Sequence, residues 1–393
     1  MDLHPEGLVL IRMAYCAFMC VGLVAGAAPA LGAQHPFARP RLAAAADTNS
    51  WEAYFDLGVA LLRRRPDEAE AAFYWASRLN PERAEPLFGR WVAFHLLDQK
   101  RWTDYLDERE KVRSAPDVLA HDSLRLAAMA RNPFVHRGLE IILYDELPGR
   151  WRQDDLSLGW IAYAKPDFPD ALRHFARAVR HDPRRYARVR ALRAQAFVAQ
   201  RQFDSAQAEM LALAAELERR DAERTVAAYE SKEFLHYASG LLYAIRGQPE
   251  QAREALRSAV VENLAFYPAQ LWLGDLALNG GDPAAAAHDY EEALVVGSKD
   301  AVLQYHYGLA LAGLGRHQEA AAALRRAVEL EAWYAAPWLE LGRALERTGD
   351  AGAARGAYET YVGRAPRAAQ GVDVARSRLA TLSERAGTSS GHP

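Results

Sequence analysis

From Trp51 onward the chain reads almost without interruption as amphipathic helix. Apolar residues recur at three- and four-residue intervals over segments of 10 to 15 residues, broken at Gly, Pro and Asp, which is the period of a helix face turned toward a core. No stretch shows the strict alternation of a strand. Asn49 followed by Glu52 has capping-box spacing ahead of Trp51, Tyr54, Phe55, Leu57, Gly58 and Leu61, and so starts the first helix there. Residues 34–49 show no apolar period and read as a flexible linker. Residues 367–386 form a last amphipathic helix through Val372, Val374, Ala375, Leu379 and Leu382, and residues 387–393 a disordered tail.

The segments are copies of one another. Gly240, Gly274, Gly308 and Gly342 follow at 34-residue intervals, and Ala252, Ala286, Ala320 and Ala354 keep the same interval twelve positions further on. Bulky residues follow each alanine: Leu256, Tyr290, Leu324 and Tyr358. Two columns in one register define a repeat. Gly and Ala belong where two antiparallel helices cross closely, and the bulky residue fills the space beside them.

The pattern resembles the tetratricopeptide repeat, most clearly in Trp338, Leu341, Gly342, Leu345, Ala354, Tyr358 and Pro366. Weaker copies are Leu57, Gly58, Ala69, Phe73, Ala76 and Pro81, then Leu158, Gly159, Ala171, Phe175, Ala178 and Pro183, then Ala194, Phe197, Ala206 and Met210. Gly89 opens another, with its second helix expected around Trp102 to Glu110, and a degenerate copy is expected between Val118 and Leu147. The resemblance implies an all-α, right-handed superhelical solenoid of about nine antiparallel pairs, with residues 367–386 as the cap. It divides into a partly degenerate array over residues 50–232 and a regular one over 233–366; the charged stretch from Glu216 to Lys232 holds lengthened helices or a loop.

The resemblance further implies that a protein or peptide partner is bound on the concave face lined by the first helices. The matching positions are Phe234, Tyr237 and Leu241, then Leu271, Trp272 and Asp275, then Tyr305, His306 and Leu309, then Leu339, Glu340 and Arg343. This strip is aromatic and mostly uncharged, with an acid–base pair at its end. It suits an extended or helical apolar peptide, with rings as anchors and Asp275 or Arg343 fixing direction. The same rings could instead pack between neighbouring first helices. Leu241, Asp275, Leu309 and Arg343 occupy the column where chaperone-binding members carry a carboxylate clamp, so a clamp is not expected.

Composition narrows the chemistry. With 48 Lys+Arg against 51 Asp+Glu, a net charge of −3 and 50% hydrophobic residues, the chain has a full core and no general attraction for nucleic acid. The basic run Arg184, Arg185, Arg188, Arg190 and Arg193 has only Tyr186 for stacking and reads as a solvated helix face. His121-Asp122, His181-Asp182 and His288-Asp289 are the kind of pair a metal hydrolase uses, but they fall at different repeat positions. Phosphate loops, nucleophile elbows and zinc-protease motifs are not found. The expectation is a non-catalytic scaffold without cofactor or metal; the alternative from another class is a metal-dependent hydrolase with its site in the N-terminal half. Residues 132–151, from Asn132-Pro133-Phe134 to Trp151, fit the repeat least, and read as a packed degenerate copy or a docking surface.

The N-terminus indicates where it works. Arg12, the apolar run Met13–Val24 and the small residues from Ala25 to Ala33 have the layout of a secretory signal peptide over residues 1–33, cleaved after Ala30 or Ala33. Asp2 and Glu6 weaken the positive start, and an uncleaved inner-membrane anchor is the alternative. The expected location is periplasmic, cell-surface or secreted. Both cysteines, Cys16 and Cys20, leave with a cleaved signal, so stability rests on packing alone.

Overall fold

The computed structural model describes residues 37–105, 115–134, 139, 154–181, 189–223 and 232–389. The expected export segment and most of residues 132–151 lie outside the described residues. Among the described residues there are seventeen α-helices and no strand. They are α1 (Trp51–Leu61), α2 (Pro66–Leu79), α3 (Glu85–Tyr105), α4 (Ala115–Arg131), α5 (Asp155–Ala164), α6 (Phe168–His181), α7 (Val189–Ala199), α8 (Phe203–Glu223) and α9 (Glu233–Ile245). Then come α10 (Pro249–Glu262), α11 (Tyr267–Asn279), α12 (Pro283–Gly297), α13 (Ala301–Gly313), α14 (His317–Leu330), α15 (Ala336–Arg347), α16 (Ala351–Arg364) and α17 (Gly371–Ser389). Odd and even helices pack as successive hairpins, each hairpin on the next where the intervening chain is described. The architecture is that of an all-α solenoid.

The glycine column sits at the helix crossings. A Cβ on Gly58 would stand 2.6 Å from the Phe73 ring, and one on Gly308 2.7 Å from Leu324 Cγ. Gly159 meets Phe175, Gly240 meets Leu256, Gly274 meets Tyr290 and Gly342 meets Tyr358 in the same way. The alanine column is buried beside them, with Ala69, Ala171, Ala206, Ala252, Ala286, Ala320 and Ala354 all fully covered. These six crossings are therefore formed as the sequence places them, whereas Gly89 abuts Phe73 of the preceding hairpin.

A second column closes the hairpins. Gly247, Gly281, Gly315 and Gly349, again 34 residues apart, take φ between +71° and +85° in the turn from first to second helix. Gly315 donates to the Ala312 carbonyl, and Arg316 to that of Leu311, satisfying carbonyls that the ending helix leaves open. The crossing glycines alone do not predict this second column.

Four boundaries differ from expectation, one of them the last helix, which starts at Gly371 and runs through Ser389 into residues read as tail. The first helix is capped by Ser50, whose Oγ accepts from the Ala53 amide at 3.2 Å, not by Asn49; the Asn49 amide side chain instead donates to the Gly363 carbonyl at 3.0 Å. Trp102 belongs to the first helix of its pair, not the second: residues 98–101 contain no glycine or proline, so α3 runs on for 21 residues and α4 supplies the second helix. Val118–Arg131 is consumed in that way, leaving eight pairs among the described residues, and the remainder of the expected ninth falls outside them. In the stretch read as linker, residues 37–49 pack over α2: Trp75 Nε1 donates to the Phe37 carbonyl at 3.1 Å, and the Arg39 guanidinium stands 5.1 Å from the Trp75 ring.

At the other end α17 covers the last pair with Val372, Ala375 and Leu382. Arg378 fastens it by two hydrogen bonds to Glu346 of α15, at 2.9 and 2.6 Å. The long α8 takes up the charged stretch as far as Glu223, and Lys232, buried before α9, reaches back to Asp221 at 2.6 Å.

Candidate functional site

The first helices α9, α11, α13 and α15 carry the predicted strip on successive hairpins, but its residues have different situations. Tyr237 and Leu241 are buried, and Phe234 is half-buried with its ring centroid 4.9 Å from that of Phe266. Tyr237 donates to the Arg131 carbonyl at the end of α4, 3.3 Å away, with Trp272 also against its hydroxyl. Burial raises its phenol far above the ordinary range. In this arrangement Tyr237 is an element of the core. The alternative of packing between first helices applies to it and to Leu241.

Asp275 is likewise engaged inside the protein. Its Oδ1 accepts from Tyr290 Oη at 2.6 Å and lies 2.5 Å from His306 Nδ1, tying α11, α12 and α13 together. Burial tends to lower the His306 pKa, but the Asp275 hydrogen bond and charge outweigh it and the net shift is upward. Asp275 thus spends its charge on its own scaffold. Glu340 and Arg343 form the expected acid–base pair at 2.7 Å, one turn apart on α15, with Arg343 about half exposed. Trp272, Tyr305 and Leu309 remain half-buried on α11 and α13.

Nothing in the repeat pattern foretells what stands opposite. Glu82, in the loop between α2 and α3, accepts a hydrogen bond from Tyr334, and its charge acts on Tyr305 and His306 of the strip. Arg78 Nε lies 2.9 Å from Glu331 Oε2. Trp75 meets Trp333 edge-on at 5.5 Å, and the Arg39 guanidinium stands 4.8 Å from the Trp333 ring. Further along, Arg131 pairs with Asp300 at 3.7 Å, while the same carboxylate accepts from Tyr267 at 2.9 Å and caps α13 through the Val302 amide. The first two hairpins therefore lie against the segments that lead into the first helices of the later hairpins, and reach the strip itself at Tyr237. Contacts at such sequence distance leave no trace in a repeat pattern, because no repeat position specifies them.

The catalytic alternatives scatter. His121 pairs with Glu70 at 3.0 Å and stacks on Phe94, while His288 is exposed on α12 beside Glu292. His181 ends α6, and Asp182 lies outside the described residues. Among the described residues no group of three or more His, Cys, Asp or Glu is placed to hold a metal ion. Of the basic run, Arg190 and Arg193 are not a solvated face: both grip the buried Glu209, at 3.1 and 2.9 Å. Arg184, Arg185 and Arg188 lie outside the described residues. Among the described residues no helix is long and apolar enough to cross a membrane.

The family model described as tetratricopeptide repeat matches residues 237–302, 273–337 and 308–369. Residues 237–369 are tetratricopeptide repeats. The matched stretch runs from α9 into the approach to α17 and coincides with the regular array. No curated protein sequence matches the chain. Among solved structures, the C-terminal part of a TPR repeat-containing protein from Cytophaga hutchinsonii is similar over 52% of this chain and 77% of its own, at 17% identity and a TM-score of 0.44. YrrB, described as a TPR protein with an unusual peptide-binding site, is similar over 49% of this chain and 93% of its own, at 15% identity and a TM-score of 0.40. The APC/C hetero-tetramer Cut9–Hcn1 is similar over 84% of this chain and 76% of its own, at 14% identity and a TM-score of 0.43.

Proposed function

We propose that this tetratricopeptide repeat protein is a non-catalytic scaffold that binds a protein or peptide partner on the concave strip of α9, α11, α13 and α15. Solenoids of this kind present extended concave surfaces assembled from equivalent positions of successive repeats. One observation supports the reading: polypeptide from the first two hairpins already comes up to the strip, the end of α4 at Tyr237 through the Arg131 carbonyl and the α2–α3 loop through Glu82 at Tyr334, whose ring packs on Tyr305 at 5.4 Å. Trp272, Tyr305 and Leu309, half-buried on consecutive first helices, are its anchors, and the Glu340–Arg343 pair marks its end. The setting is a periplasmic or cell-surface assembly reached through the export layout of residues 1–33, with an inner-membrane anchor as the other outcome. Fractionation with determination of the mature N-terminal residue separates the two.

The test is affinity capture of a partner from the native organism, followed by titration of variants. Trp272→Ala should weaken binding by about 2 kcal/mol, a factor of roughly 30, with helical content unchanged, whereas Arg185→Ala should leave it unaltered. Retained affinity in Trp272→Ala together with loss in Arg185→Ala would move the working surface to the basic run.

A further inference from the structure

In a repeat solenoid each hairpin touches its sequence neighbours and no others. Here the first hairpin touches the last two. Asp47 Oδ2 accepts from the Arg367 amide at 2.7 Å, and Asn49 donates to Gly363. Arg39 places its guanidinium among Tyr54, Trp75 and Trp333 at 5.3, 5.1 and 4.8 Å. Arg78 meets Glu331, and Glu82 meets Tyr334. We propose that this seam is a stopper: the first hairpin and the strap of residues 37–49 hold the concave strip shut, and a partner binds there only when they let go. The proposal rests on the strip being the binding surface.

The character of the seam supports a reversible contact. A hairpin crossing in this chain is apolar and close, as where Gly308 meets Leu324. Apart from one ring contact, Trp75 on Trp333, the seam consists of ion pairs, hydrogen bonds and cation–aromatic contacts, the more polar composition of interfaces between units that move relative to one another. The seam also borders the strip: Tyr334, which Glu82 holds, packs edge-on against Tyr305 at 5.4 Å. The Glu82 charge is felt by Tyr305 and His306, both in the predicted binding column, as well as by Tyr334. A segment that displaces the stopper has to meet the same groups. An extended segment carrying a carboxylate, set between Tyr334 and His306, does so.

Hydroxyl-radical footprinting of the full chain reads the state of the seam without a partner. In Arg39→Ala/Glu82→Ala, oxidation of Trp333 and Tyr305 should rise severalfold over wild type, while Tyr290 and Tyr358, fully buried in hairpin crossings, stay at the wild-type level. Glu82→Gln keeps an oxygen acceptor for Tyr334 and should remain closed. Unchanged protection of Trp333 and Tyr305 in the double variant overturns the proposal. So does an opened chain that binds the captured partner no more tightly than wild type. Failure of the strip as the binding surface is read separately, from Trp272→Ala.

Discussion

Arg78 of α2 and Glu331, just past α14, face each other at 2.9 Å across the seam, and the carboxylate is only 6% exposed. Burial raises the Glu331 pKa to about 7 against the opposing pull of Arg78. An acid whose pKa is higher in the folded state binds its proton more tightly there. Its stabilising contribution is complete below the unfolded value near 4.5 and is lost as the pH rises through about 7. The denaturation midpoint should therefore fall between about pH 5 and about pH 8, and Glu331→Gln should flatten that slope. A smaller slope of the same sign remains from His306, whose pKa is also raised. A midpoint that climbs with pH in wild type would contradict this assignment.

Two glycines of the regular array should respond with opposite sign. Gly308 stands where a Cβ would be 2.7 Å from Leu324 Cγ, whereas Gly356, on the outer side of α16, has nothing within 4 Å. Gly308→Val should destabilise by about 1 to 3 kcal/mol through overpacking. Gly356→Ala should stabilise by about 0.5 to 1 kcal/mol, since alanine costs less backbone entropy within a helix. Chemical denaturation of both variants checks the pair, and equal midpoints would mean that the column does not mark a crossing.

Arg201 occupies the turn between α7 and α8 with φ of +59°, the conformation that Gly247, Gly281, Gly315 and Gly349 take in the regular hairpins. Its amide donates to Val198 at 2.9 Å, and that of Gln202 to Phe197 at 2.9 Å, the same bonding as around Gly315. The Cβ strains this left-handed backbone, so Arg201→Gly should raise stability by about 0.5 to 1 kcal/mol. Thermal unfolding would show it as a higher midpoint, and a lower one would mean that the arginine side chain matters more than the strain.

If Cys16 and Cys20 leave with the export segment, thermal unfolding of the mature chain should be indifferent to reducing agent. Intact-mass measurement of the exported protein checks the premise, which a chain beginning at Met1 would remove.

The repeat architecture was written in the sequence because it depends on local spacing. A glycine in a first helix, an alanine twelve positions later and a bulky residue four beyond that are enough to place Gly308 against Leu324 or Gly159 against Phe175, since hairpin geometry fixes which positions meet. The α3 boundary was not legible because it depended on missing breakers: with no glycine or proline in residues 98–101, the helix continued through its expected turn. The strip of first-helix residues was also foreseen, but its accessibility was not. Whether Tyr237 offers a ring to a partner or hides it depends on Arg131, more than 100 residues away, and the environment of Tyr305 depends on Glu82. Repeat periodicity specifies contacts between neighbouring hairpins only. The meeting of the first hairpin with the last two comes from the summed curvature of all the hairpins between them, and so only the tertiary structure decided which faces of the solenoid are left open.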